Sequence, residues 1–463
     1  MFIMETTKWH IFRDSIASVT DADALLTALN TERLTSIRIN PQKYSAVSLP
    51  RVPWCETGYY LDQRPIFTLD PLFHAGAYYV QEASSMFLEQ IIKPFATRPL
   101  RVLDLCAAPG GKTTLALSLL PEGSLMVANE VIKSRSQILS ENLIKWGYPN
   151  CIVTNNDPKD FSFLKGAFDI IIVDAPCSGE GMFRKDSDAI SEWSPENVDL
   201  CSKRQLRILY DIWDCLAPEG LLIYSTCTFN EKENEDVVAR FVSENNARCE
   251  RISLQTEWNV TEREKNGAFS YRFFPHKTKG EGFSVSVIRK IDGQEYVLPK
   301  RVQQAKSITF LSEKNTAPFK NFISDSDQIC FNDRKNLSWA FPLHHKDFMT
   351  EIASHCNLVH AGTPLVECIG NKINPLAGLA FSTKYDKNVF PSVAVDLEQA
   401  VRYFKKETLY LPDAEKGWIN ITFKNTSIGF VKNIGNRANN PYPQEWAIKM
   451  NVDYASLPKS VIV

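Results

Sequence analysis

Two cysteines in this 463-residue chain sit in settings that suit covalent chemistry. One lies in Asp174-Ala175-Pro176-Cys177-Ser178-Gly179, the other in Tyr224-Ser225-Thr226-Cys227-Thr228. A thiolate is a strong nucleophile near neutral pH, and Asp174 supplies a carboxyl beside the first thiol that can hold or share a proton. A third block, Asp104-Leu105-Cys106-Ala107-Ala108-Pro109-Gly110-Gly111-Lys112-Thr113, combines small residues with two glycines. Such a run lets the backbone approach a ligand closely, and the helix that follows offers free N–H groups. It is not a phosphate cradle of the P-loop type, which would need glycine where Cys106 stands, and a G-x-G-x-x-G loop is absent. Alone, a Gly-Gly turn is usually structural and a buried cysteine usually a small hydrophobe. Two thiols beside a carboxylate and a Gly-rich loop favour function.

The elements that must position these residues follow from periodicity. From residue 100 onward, apolar runs alternate with amphipathic stretches. Strands are expected at 101–105, 124–129, 151–154, 168–173 and 220–224, with helices at 113–120, 134–146, 195–215 and 233–244. That alternation predicts an α/β fold with a parallel, doubly wound sheet and right-handed crossovers. Ligands of such sheets bind outside the carboxyl ends of the strands, where all three blocks fall. Glu130, after the second strand, is placed to accept bonds from ribose hydroxyls. Asn155-Asn156-Asp157, after the third, is placed to hold an adenine edge, although such residues are also common in loops. Adjacent strands lie ~4.8 Å apart, so two thiols on neighbouring strand ends would share a pocket.

The flanks divide the chain into residues 1–95, an N-terminal extension with a capped helix at 21–29; 96–290, the sheet domain; 291–387, a linker or intermediate region; and 388–463, a small module with a helix at 397–404 and short strands. A formal net charge of -2 excludes a bulk-basic nucleic-acid coat, so contacts to nucleic acid must come from local patches. The eleven cysteines form no C-x-x-C pair, which argues against a metal site and for reduced thiols in the cytoplasm. Residues 1–13 resemble neither a signal segment nor a membrane span.

Together, DLCAAPGGKT (Asp104 to Thr113), DAPCSG (Asp174 to Gly179) and STCT (Ser225 to Thr228) closely resemble the Nop/Sun family of RNA 5-methylcytosine methyltransferases. Val80-Gln81-Glu82-Ala83-Ser84-Ser85-Met86 and Arg272-Phe273-Phe274-Pro275-His276-Lys277 extend the resemblance over most of residues 20 to 290. The loop Gly179-Glu180-Gly181-Met182-Phe183-Arg184-Lys185 looks like the RsmF branch, whose members act on small-subunit ribosomal RNA. Near the end of the chain, Lys416-Gly417-Trp418, Gly435-Asn436-Arg437 and Asn439-Asn440-Pro441-Tyr442-Pro443 resemble a PUA-like RNA-binding domain.

The resemblance implies a Rossmann-like methyltransferase sheet that uses S-adenosyl-L-methionine. It also implies Cys227 as the nucleophile on C6 of cytosine, Cys177 assisting loss of the C5 proton, and Asp174 bonding the base at N3. Lys112 would either lower the Cys227 pKa or orient Asp174. The cofactor would be held by Cys106, Ala107, Ala108, Pro109, Gly110, Gly111 and Lys112, with Glu130 on the ribose, Asp157 on the adenine side, Asp174 at the methionine end and Arg135 bracing the acidic cluster. Ribosomal RNA or the small ribosomal subunit is the implied partner, met by a monomer away from any membrane.

RNA contacts are expected from Arg184, Lys185, the run 272–279 and Arg437; Phe183 and Trp193 would either stack on RNA or pack in the core. Three rivals remain: a DNA cytosine-5 methyltransferase attacking through Cys177, the same chemistry on transfer RNA, and a non-catalytic ribosome assembly factor.

Overall fold

Five apolar runs form parallel strands β1 (Arg101–Asp104), β2 (Leu125–Asn129), β3 (Cys151–Thr154), β4 (Phe168–Asp174) and β5 (Leu216–Thr226). Helices α1 (Gly111–Leu119), α2 (Lys133–Trp146) and α3 (Pro195–Trp213) connect them, and α4 (Glu235–Glu244) follows β5. The computed structural model describes residues 7–45, 47–186, 188–302, 305–334 and 336–462; the first six residues of the expected N-terminal extension lie outside the described residues.

The parallel strands lie in the order β5-β4-β1-β2-β3, which puts a topological switch point between β1 and β4. Alternate residues serve opposite faces, as strands buried on both sides require. Leu103, Val127, Ile171, Val173 and Leu222 pack with Leu209 and Ile212 of α3 and Val238 of α4. Val102, Met126, Ala128, Ile170, Ile172 and Ile223 pack with Leu115 of α1 and Leu139 of α2. The sheet extends antiparallel through β6 (Ala247–Glu250), β7 (Thr261–Lys265), β8 (Ala268–Phe273), β9 (Phe283–Lys290) and β10 (Leu358–Ala361). Among the described residues it has ten strands, ordered β7-β8-β9-β5-β4-β1-β2-β3-β10, with β6 also on β9.

Residues 291–387, read from sequence as a linker or intermediate region, carry structure of their own. An antiparallel five-stranded sheet runs from Thr309–Phe310 to Lys372–Pro375, and β10 from the same region closes the far edge of the central sheet against β3. A hydrophobic run was hard to see there because strands such as Ile329–Arg334 end in polar residues and bury only their central part.

The C-terminal module is not separate either. Its helix Leu397–Phe404 and strands Gly417–Phe423 and Thr426–Asn433 share one core with Ile37, Ile39, Tyr59 and Tyr78 of the N-terminal three-stranded sheet. His74 stacks on Phe404 at 4.6 Å between centroids. The buried Asp70 carboxylate accepts from Ser460 Oγ and from the Val461 N–H, both at 2.8 Å. Among the described residues, no helix is long and apolar enough to cross a membrane.

Candidate active site

The three sequence blocks converge at the carboxyl ends of β1, β4 and β5. Asp104 closes β1, and Gly110, at φ 112°, turns the chain into α1 through a left-handed conformation that a side chain would strain. One residue into α1, Lys112 Nζ reaches across the switch point to Asp174 Oδ2 at 2.8 Å. Ser225, the register partner of Asp174 on β5, donates its hydroxyl to Asp174 Oδ1 at 2.8 Å. The carboxylate is therefore held from both sides, by a cation from β1's loop and a hydroxyl from β5.

Just beyond these strand ends the two thiols meet: Cys177 Sγ and Cys227 Sγ lie 3.1 Å apart. Both cysteines are free and partly accessible. A hydrogen bond from the Cys177 thiol, together with the positive charges of Lys112 and Lys185, lowers the Cys227 pKa against burial and the Asp174 carboxylate. The same sulfur contact, burial and the negative charge of Glu233 raise that of Cys177. The surroundings thus favour ionisation of Cys227 over Cys177.

Lys112 is placed for either role that the sequence left open. It orients Asp174, and its charge reaches Cys227. Burial opposes that charge, but the Asp174 carboxylate holds the ammonium above its ordinary value.

Of the remaining sequence candidates, Glu130 joins Asp104 and Asp174 in an acidic rim around Cys106 of the Gly-rich loop, and Asp157 follows β3. Glu130 is buried after β2; its Oε1 accepts the Ile132 N–H at 2.9 Å and its Oε2 lies 3.4 Å from Arg135. Arg135 also donates to the Ala108 carbonyl at 2.8 Å, so it braces the loop and the carboxylate together. Asp157 caps the turn Pro158–Phe161 and pairs with Arg207 at 3.1 Å. Partial burial works against its charge, but Arg207 keeps it below the usual carboxylate range. The Cys106 thiol is pushed well up by burial and by the charges of Asp104, Asp174 and Glu130.

These residues suit S-adenosylmethionine by the chemistry of their groups. That cofactor is cationic at sulfur and nitrogen and presents N–H and hydroxyl donors; the rim presents carboxylates, among them a buried Asp104 Oδ1 with no hydrogen-bond partner. Glu130, Asp104, Asp157, Asp174 and the backbone of 106–111 are the groups that would hold it.

Asp104 also has a testable electrostatic signature. Burial, aided by Asp174 and Glu130, raises its pKa from 3.8 to about 7, against the hydrogen bond from Thr113. The folded state keeps this proton after the unfolded chain has released it. Its contribution to stability is therefore complete below pH 3.8 and is lost as pH rises to about 7. Asp104→Asn should flatten that part of the stability profile, read as urea midpoints from pH 4 to 8. An unchanged slope would contradict the assignment.

Several expected RNA contacts are instead structural. Phe183 and Trp193 are only 7% and 2% exposed and pack with Phe12, Ile16 and Phe274. Arg184 pairs with Glu281 at 2.9 Å, both side chains 5% exposed. Arg272, 1% exposed, is spent on Glu235 at 3.1 Å and on the carbonyls of Phe229 and Asn230. Those loop carbonyls and that buried carboxylate need a cation, which is why Arg272 turns inward. Lys185, Lys277, Lys279 and Arg437 remain exposed.

Sequence reasoning missed Glu180, Asn230 and Glu233. The fully buried Glu180 accepts from the Phe229 and Asn230 N–H groups at 2.7 and 2.9 Å and from Trp193 Nε1 at 3.0 Å. Glu233, equally buried, accepts the Ser178 N–H at 2.9 Å and Gln205 Nε2 at 2.8 Å. Asn230 Nδ2 bridges both carboxylates at 2.9 and 2.8 Å. The one local cue is Gly179 and Gly181 flanking Glu180, small residues that admit a close approach. A Cβ at Gly181 would lie 2.7 Å from the Cys227 carbonyl oxygen.

Comparison with known proteins agrees with this geometry. Residues 93–289 match the family described as 16S rRNA methyltransferase RsmB/F. Residues 12–83 match the N-terminal domain of 16S rRNA methyltransferase RsmF, and residues 390–448 the methyltransferase RsmF PUA domain. A ribosomal RNA small subunit methyltransferase F from Serratia proteamaculans is 30% identical over 91% of this chain and 92% of its own length. Its counterpart from Erwinia tasmaniensis is 29% identical over 92% and 93%. Among solved structures, a methyltransferase homolog from Pyrococcus horikoshii superposes with a TM-score of 0.52 at 26% identity, covering 60% of this chain and 94% of that one. NSun6 from Pyrococcus horikoshii has the same fold, with a TM-score of 0.51 at 19% identity over 60% of this chain and 97% of that one. With a relative 30% identical along nearly its whole length and all three domain matches in order, the chain belongs to the RsmB/F family of 16S rRNA methyltransferases.

Proposed function

We propose that this protein transfers a methyl group from S-adenosylmethionine to C5 of a cytosine in small-subunit ribosomal RNA, through a covalent bond between Cys227 Sγ and C6. The observation that carries the reading is the pair of thiols 3.1 Å apart, beside an Asp174 gripped by Lys112 and Ser225. C5 of cytosine is a poor nucleophile until a group adds at C6, and a covalent adduct divides one hard step into two easier ones. The cofactor supplies an electrophilic methyl group at its sulfonium.

The chain's own residues do the rest. Cys227 adds as thiolate and makes C5 electron-rich. Asp174, which accepts from Lys112 and Ser225, would have to take up a proton as the base enters, and then donates it to N3 and stabilises charge on the ring. Cys177 stands beside the new C–S bond, where it assists loss of the C5 proton and expulsion of the Cys227 sulfur. The target base must be unpaired or turned out of its helix to enter.

The assembled small subunit or its RNA is the partner, met by a single chain in the cytoplasm. Eleven free thiols suit a reducing compartment, and all the groups of the site come from one chain. Exposed Lys185, Lys277, Lys279 and Arg437 would meet phosphates, so affinity should fall steeply between 50 and 200 mM salt, as is general for phosphate contacts. The direct test is transfer of labelled methyl groups to unmethylated small subunits, with bisulfite mapping of the product. Labelled transfer RNA instead would move the activity to that substrate, and no transfer at any salt would leave an assembly factor.

A further inference from the structure

A puzzle of the site is why two thiols in van der Waals contact, on equivalent strand ends, should differ in role. Their surroundings are not equivalent. On the Cys227 side stand the cations Lys112 and Lys185, which oppose the Asp174 carboxylate that Lys112 contacts at 2.8 Å. On the Cys177 side stands Glu233, whose Oε2 takes the N–H of Ser178, the peptide group directly after Cys177.

Gln205 of α3 completes that grip. Its Nε2 donates both to Glu233 Oε2 at 2.8 Å and to the carbonyl of Pro176, just before Cys177, at 3.0 Å. The peptide groups on both sides of Cys177 are therefore tied to one carboxylate–amide pair. Asn230 ties that pair to the loop after Cys227, through Glu180 and the Thr228 hydroxyl, itself 3.0 Å from Ser178 Oγ.

We propose that Glu233 is the positioning residue that assigns the thiols their roles: it fixes the Cys177 loop and puts a buried negative charge on that side, so that Cys177 keeps its proton and donates a hydrogen bond to Cys227, which ionises first. The inference rests on the methyltransferase reading above and adds to it the origin of the asymmetry. Glu233 does not touch substrate; it acts through Cys177. The other ionisable groups facing the pair are Cys201 on α3 and Tyr224 on β5, and the Tyr224 hydroxyl donates to the Glu233 carbonyl, not to either sulfur. Burial raises the Glu233 pKa, yet it accepts hydrogen bonds from Ser178, Gln205 and Asn230, all of which favour the carboxylate.

The test is alkylation of the full-length protein by iodoacetamide across pH 5.5 to 9, with each labelled cysteine quantified by peptide mass spectrometry. In the wild type, Cys227 should react well ahead of Cys177 at neutral pH. In Glu233→Gln the preference should narrow by about tenfold, the equivalent of one pKa unit, because the Cys177 profile moves to lower pH. Gln205→Leu, which leaves the carboxylate but removes its tie to the Pro176 carbonyl, should narrow the preference in the same direction and supplies the readout should Glu233→Gln fail to fold. An unchanged preference and unchanged profile in the folded variants overturn the proposal. Preferential labelling of Cys177 in the wild type overturns it as well. The underlying methyltransferase reading fails separately, if wild-type protein transfers no methyl group to RNA.

Discussion

Cys227→Ser is expected to lower methyl transfer by a factor on the order of 10³ or more, the scale of loss when a covalent nucleophile is removed. A serine hydroxyl is almost wholly protonated at neutral pH, and the features that favour a thiolate at this position, the Cys177 hydrogen bond and the Lys112 and Lys185 charges, cannot bring an alcohol into range. The substitution removes no backbone contact, so the melting temperature should barely move. Cys177→Ser should behave differently. The adduct at C6 still forms, but its breakdown slows, so protein linked to RNA should accumulate as a slow band on denaturing gels. Single-turnover assays with both variants separate the roles. If Cys177→Ser is dead without adduct while Cys227→Ser gives the slow band, the nucleophile is Cys177 and the assignment is wrong.

The second large effect is expected at a residue with no reactive group. Gly181→Ala places a methyl 2.7 Å from the Cys227 carbonyl oxygen and 2.8 Å from the Gly282 carbonyl oxygen, both backbone atoms. The Gly181 N–H also donates to that Cys227 carbonyl at 2.8 Å. Relief requires the Cys227 peptide to move by several tenths of an ångström or the loop 179–185 to lift away. Displacements of about 1 Å at a reacting group cost roughly 10²-fold in rate. The expected result is a kcat lower by about that factor with KM for the cofactor little changed, because the Gly-rich loop is untouched. Full activity in a folded Gly181→Ala protein would show that the loop is free to yield.

The parallel core was legible because β1 to β5 are apolar on both faces and separated by helices of ordinary length. Cys177 and Cys227 could be placed at strand ends, but their contact depends on β4 and β5 being neighbours, which is a matter of strand order. The resemblance to a known family supplied the division of labour, and the spacing of the cysteines did not. Glu180 and Glu233 were invisible for a physical reason. A buried carboxylate is recognised by its donors, and those donors are backbone N–H groups and amides up to 55 residues away. The basic run from Arg272 was misread by the same token, since Glu235 and two loop carbonyls claim its first cation. For aromatic Phe183 and Trp193 the sequence favoured core over RNA, and the first described helix, Thr7–Ile16, supplies the core that covers them.

The contact between Asp70 and residues 460–461 bears on how the protein is made. The partners are 390 residues apart in sequence, so the carboxylate emerges from the ribosome long before the groups that satisfy it. Chains usually gain their structure from the first domain onward during synthesis. Here the opening half of the molecule stays incomplete until residue 461 has been added, and its apolar face must be shielded in the interval. A fusion that restrains residues 460–461 would therefore be felt first at the opposite end of the polypeptide.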